Sequence, residues 1–302
     1  MKKIVLSCSL SLLLAFSFVS IAMAAASTES ITLNVNGLKI PNETVIINQT
    51  TMVPIRDVSL IPIFSVNWEN KSKKVSVTNK KTNESLLLTM NNKVGYKGKT
   101  KVTLSVAPQN INGSIYVPLR FIGENLDAYV YWDSKTKTAV IYNSPVGGAD
   151  ESLNIVKGRN AVLLLTRINL QDHFVTNSES HITEYFFPLN KTQQFFIVDG
   201  DIAKYYEVRN HAAWEVWEGV TSDGVKGDKD VIPNIVHAVS KEWGQRPSFN
   251  GEFAYFIDQW MANIVNFGTI DETGTRNESG SFTRTDNSKP FIVAIEGENR
   301  TN

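Results

Sequence analysis

Cysteine is almost missing from this chain of 302 residues: Cys8 stands alone. It falls within an apolar run from Ile4 to Ala22 that follows Met1-Lys2-Lys3 and closes on Ala22-Met23-Ala24, the layout of a cleavable export signal. Cutting after Ala24 is expected, giving residues 1–24 as a signal peptide. Cys8 leaves with it, and the mature chain then has no disulfide framework, no thiolate metal site and no cysteine nucleophile. Histidine is scarce too, with His173, His181, His211 and His237 and no His-x-His pair. No later run is apolar enough to span a bilayer, so no membrane span is expected after signal cleavage. A Gly-x-Ser-x-Gly elbow, a phosphate-cradling loop and a nucleic-acid module are all lacking, and no nucleic-acid partner is expected.

Net charge is also absent, but only in the sum. Residues 27–144 hold 14 Lys+Arg against 8 Asp+Glu, whereas 145–302 hold 14 against 22. A chain with a basic first half and an acidic second half can lay the first on a polyanion and turn the second away from it. An anionic cell-wall polymer or an envelope protein is the partner this suggests.

What is present is a repeat. Residues 47–79 and 111–143, offset by 64, share ten of 33 positions without a gap, where unrelated sequence gives roughly two. Asn48, Val53, Pro54, Arg56, Val66, Trp68, Lys71, Lys73 and Asn79 return as Asn112, Val117, Pro118, Arg120, Val130, Trp132, Lys135, Lys137 and Asn143. Proline at a helix start wastes no amide proton, so Pro118 opens a helix over Leu119 to Leu126 that Asp127 ends. Tyr129 to Trp132 and Thr138 to Tyr142 follow as a hairpin around Asp133 to Thr136. In the first copy Pro62 falls inside the expected helix and should shorten or kink it. Trp68 and Trp132 read as anchors between sheet and helix. Arg56 and Arg120 oppose the helix dipole, and pairing with Glu69 and Asp133 is expected to offset that.

Val-Pro-Leu-Arg-Phe-Ile, then Val-x-Trp-Asp, then Lys-Thr-x-Val-Ile resembles the copper amine oxidase N-terminal-like, or stalk, domain over about Ile31 to Asn143 in two copies. The resemblance implies a small antiparallel sheet wrapped on a helix, an appendage found repeated in secreted and envelope proteins of bacteria. It does not imply the oxidase reaction. Three imidazoles around copper and an Asn-Tyr-(Asp/Glu) sequence are needed for that, and neither set is present. No cofactor and no metal are expected.

The linker is expected at 145–152, where proline and two glycines interrupt the apolar pattern. Beyond it, 153–302 reads as a separate α+β domain. Ala161 to Leu170, Ile182 to Pro188, Gln194 to Val198, Ile202 to Val208 and Ala213 to Glu218 are expected as a β-meander. Two helices should follow, one over Asp230 to Trp243 and one over Phe253 to Phe267, on apolar spacing of three and four. Thr269 to Pro290 reads as a long polar connection and Phe291 to Ile295 as a last strand. The expected fold class is therefore α+β: a duplicated sheet-plus-helix domain followed by an α+β domain.

Chemistry is sparse in that second half. Simple alternation along Trp214 to Glu218 puts Glu215 and Trp217 on one face, an acceptor beside a possible sugar-stacking indole. Asp223 to Asp230 departs from the EF-hand series and reads as a solvated turn. The function expected is a secreted, non-catalytic envelope protein whose stalk-type domain tethers a surface-binding module. A secreted hydrolase with its active site in 153–302 is the alternative.

Overall fold

The computed structural model describes residues 31–144, 154–175, 180–221, 239–249, 251–286 and 289–298. The fold is mostly β, with three helices among the described residues and three sheets that are largely antiparallel. The expected linker, the Asp223 to Asp230 turn and most of the first expected helix lie outside the described residues.

In chain order the first part runs β1 (Ile31–Val35), β2 (Leu38–Ile47), β3 (Thr50–Pro54), α1 (Ile55–Val58), β4 (Phe64–Glu69), β5 (Lys74–Asn79), β6 (Ser85–Thr89), β7 (Val94–Lys97), β8 (Thr100–Thr103), β9 (Gln109–Ile111), β10 (Ser114–Pro118), α2 (Leu119–Asn125), β11 (Tyr129–Asp133) and β12 (Thr138–Tyr142). Each of the two similar stretches runs strand, helix, hairpin. Pro54 and Pro118 sit at the N-caps of α1 and α2, where a missing amide proton costs nothing. Asn48 and Asn112 both adopt positive φ, as do Lys73 and Lys137. Asparagine tolerates that region better than most side chains, which explains its return in the two-residue hairpin turns.

These stretches are interlocked. β3 and β10 pair antiparallel with Val53 opposite Val117, so matching residues meet across a local twofold. Seven strands follow the order β11-β12-β1-β2-β3-β10-β9, and five form a second sheet β4-β5-β6-β7-β8. One apolar core joins them, with Val53, Val58, Phe64, Val75, Val77, Val117, Leu119, Ile122 and Ile141 all buried.

The second part runs α3 (Ile155–Leu163), β13 (Arg167–Ile168), β14 (Thr183–Pro188), β15 (Gln194–Asp199), β16 (Ile202–Arg209), β17 (Ala212–Thr221), β18 (Val239–Gly244), β19 (Phe253–Gln259), β20 (Ile264–Ile270) and β21 (Arg276–Thr283). The meander β14 to β17 forms as expected, and the sheet order is β13-β17-β16-β15-β14-β19-β20-β21 with β18 added on β17.

Five expectations fail here. Phe253 to Phe267 is the hairpin β19–β20, not a helix. β19 lies between β14 and β20, and its two faces enter different cores: Ala254 and Phe256 one, Phe253 and Tyr255 the other. A strand buried on both faces reads as a continuous apolar run, which periodicity cannot tell from a helix. Val239 to Gly244 is likewise a strand. Ala161 to Leu163 closes α3, whose cap Asn154 accepts from the Lys157 amide. The polar stretch 269–290 contains β21, an exposed edge strand. Phe291 to Ile295 packs without forming a strand.

A seam joins the two parts. Val140 and Tyr142 of β12 bury against Ile168, Ala212 and Trp214. Thr166 Oγ1 donates to the Asn143 carbonyl at 2.8 Å, and Tyr142 Oη donates to the Asn210 carbonyl at 2.8 Å. At the β1–β2 turn, buried Asn34 donates through Nδ2 to the Asn169 carbonyl at 2.8 Å. Gly37, at φ +87°, lies so close to the Arg167 carbonyl that a Cβ would fall 2.1 Å from the oxygen. Only glycine fits both the turn and that approach.

Candidate functional site

The seam leads directly to a cluster of ionisable groups. Lys39 of β2 pairs with Asp172 at 2.7 Å, so β1 and β2 grip both Asn169 and Asp172 in the segment that carries His173. Opposite, on β17, a bulge decides what faces this histidine. Tyr206 pairs with Glu215 but Tyr205 pairs with Trp217, leaving Val216 as the extra residue. A bulge shifts the alternation by one. Glu215 and Glu218 therefore share a face with Lys204 and Tyr206.

Trp217 consequently faces away. It is fully buried, and its indole nitrogen donates to Glu242 Oε2 at 2.9 Å. A closed-in indole has no face for a sugar ring, so the expected Glu215–Trp217 platform does not form; Glu215 stands in the ionic cluster and Trp217 in the core. Trp214 is buried as well.

Every atom of the cluster but one is engaged. Tyr206 Oη donates to Glu215 Oε2 at 2.9 Å. The Phe174 amide donates to Glu218 Oε1 at 3.0 Å, and the Trp243 indole to Glu218 Oε2 at 3.1 Å. His173 Nδ1 lies 2.9 Å from Glu218 Oε2, 3.6 Å from Glu215 Oε1 and 2.9 Å from Lys204 Nζ. Lys204 Nζ is 3.9 Å from Glu215 Oε2. Glu215 Oε1 is buried and receives no donor.

Two adjacent carboxylates in one buried place cannot both ionise freely. Burial pushes the Glu215 carboxyl up to about 8, with Lys204 opposing and Glu218 adding to the rise. Burial would also raise Glu218, but Glu215, His173, Lys204 and the Phe174 amide together hold it below the usual carboxylate range. One proton shared between the two is the state this favours near neutral pH. His173 Nδ1 and one oxygen from each carboxylate all lie within 4.8 Å of one another, a spacing open to a metal ion.

The residues expected to form ties in the first part are placed differently. Arg56 pairs with its neighbour Asp57 at 3.7 Å and Arg120 with Glu124 at 3.9 Å. Glu69 accepts from Ser72 and Asp133 from Thr136, so the expected pairs Arg56–Glu69 and Arg120–Asp133 do not form. Each acid is taken by its own hairpin turn. Trp68 and Trp132 are half-buried and pack against the shared core. Among the described residues no helix is long and apolar enough to cross a membrane.

Sheet pairing, the shared core and the paired helix starts define the first part as a β-rich domain with short helices. Residues 32–141 match the family model of the copper amine oxidase N-terminal domain, as one copy that covers the first similar stretch and all but the last two residues of the second. No curated protein and no solved structure matches the chain.

Proposed function

We propose that this is an exported, non-catalytic protein of the bacterial envelope. Its first part, two copies of a stalk-type unit folded together, rests on an anionic wall polymer and presents the second part to a surface polymer or protein. The observation that carries the reading is the five-stranded sheet β4–β8. Residues 64–103 contain nine lysines against Glu69 and Glu84. Lys71, Lys73, Lys80, Lys81, Lys93, Lys99 and Lys101 are exposed. Six of these stand in the turns between the strands and Lys101 on the edge strand β8; a surface with such an excess of one charge sign attracts a polyanion over about a Debye length, and salt weakens that attraction.

Retention of the full chain on isolated wall material tests this at low and at raised ionic strength. Strong retention that raised salt releases is expected. Retention unaffected by salt would contradict electrostatic anchoring.

The Glu215–Glu218 pair favours a second reading, a hydrolase that uses a shared proton. The two carboxyls are too close to flank a glycosidic bond, which needs about 5 Å or more between them. Turnover of wall material by the full chain, abolished in Glu218→Gln, would replace the non-catalytic reading.

A further inference from the structure

We propose that His173 Nδ1, Glu215 Oε1 and Glu218 Oε2 bind one divalent transition-metal ion of the zinc type, which displaces the Lys204 ammonium from the mouth of the cluster. This goes beyond the envelope reading and does not depend on it.

The first support is an orphan. Glu215 is 6 % exposed, its Oε2 is held by Tyr206, and its Oε1 lies 3.6 Å from His173 Nδ1 with no N–H or O–H of another residue donating to it, so only the proton shared with Glu218 stands where a cation would go. A buried carboxylate oxygen left unpaired costs energy, and it can be satisfied only by a proton or a cation. Geometry is the second. Ligands about 2.0–2.2 Å from a tetrahedral ion stand roughly 3.3 Å apart. The distances from His173 Nδ1, 2.9 Å to Glu218 Oε2 and 3.6 Å to Glu215 Oε1, lie on either side of that value.

Outer contacts are the third. Tyr206, Trp243 and the Phe174 amide each donate to one carboxylate and fix its direction, the kind of support that metal ligands need. Buried carboxylates on a strand with a half-exposed imidazole over them leave an open side for entry and for a solvent ligand. An imidazole donor selects zinc over calcium and magnesium, which take oxygen. Binding releases the proton shared by Glu215 and Glu218 to solvent, and the two carboxylates then neutralise the ion.

Lys204 is the competitor. Its Nζ sits 2.9 Å from His173 Nδ1 and its side chain is 23 % exposed, so a flexible stem can carry the charge out to solvent. If the cluster were only an ion-pair network, Lys204 would stabilise it and zinc would find no place.

The experiment titrates the chelator-stripped full chain with zinc chloride by calorimetry, with elemental analysis after gel filtration. One zinc per chain is expected, unaffected by excess calcium or magnesium chloride. His173→Ala, at a half-exposed position that leaves folding intact, should weaken binding at least about tenfold. Lys204→Met should tighten it several-fold, because the competing ammonium is gone. Failure to bind zinc in stoichiometric amount, equal affinity in His173→Ala, weaker binding in Lys204→Met, or displacement by calcium or magnesium would each overturn the proposal.

Discussion

Gly37 and Tyr142 bear on the seam one residue at a time. A methyl at Gly37 meets the Arg167 carbonyl at 2.1 Å on a backbone with φ +87°, so Gly37→Ala should cost about 2–4 kcal/mol, read from the urea midpoint. Tyr142 gives a pH signature. Burial, helped by Tyr129 and opposed by Arg209, pushes its hydroxyl up to about 12 from 10.0. Between those values the unfolded chain has lost the proton and the folded chain keeps it, so the stabilising contribution is full below pH 10 and lost as pH rises towards 12. Tyr142→Phe should lose about 1 kcal/mol at neutral pH with its hydrogen bond to Asn210. Its urea midpoint should then fall less than that of the native chain between pH 9 and pH 11. Equal falls would remove Tyr142 from the alkaline response.

At the scale of elements, α2 separates packing from surface charge. Ile122 is fully buried in the shared core, and Ile122→Ala should cost about 3 kcal/mol in chemical denaturation. Arg120 is exposed and 3.9 Å from Glu124, so Arg120→Ala should change stability by less than about 0.5 kcal/mol. The elements of the first part were legible where residues had one local meaning: Pro118 opened a helix, and the polar run Asp133 to Thr136 turned Tyr129 to Tyr142 into a hairpin. Local meaning failed where tertiary contacts decide. Phe253 to Phe267 carries an apolar spacing that fits a helix, and only burial on both faces makes it two strands. The bulge at Val216 left no mark in sequence, so Glu215 was paired with Trp217 on paper and with Glu218 in space. His173 was equally silent. Its role follows from Asn34 and Lys39, more than a hundred residues away, gripping the segment that bears it.

The whole molecule is a charged pair joined by a buried seam. Nine lysines lie in the strands and turns of one sheet of the first part, and the acid excess lies beyond residue 144. Because the seam also holds the segment bearing His173, changes at Gly37 or Asn34 should reach the ionic cluster without touching it. The lysine-rich sheet is the central claim, and its most direct test is retention of the full chain on isolated wall material after Lys71, Lys73, Lys80 and Lys81 are all changed to glutamine. These exposed side chains lie outside the core, so folding should persist. The account predicts that this variant is retained at low ionic strength no better than the native chain is at raised ionic strength. Full retention of a folded variant would contradict it.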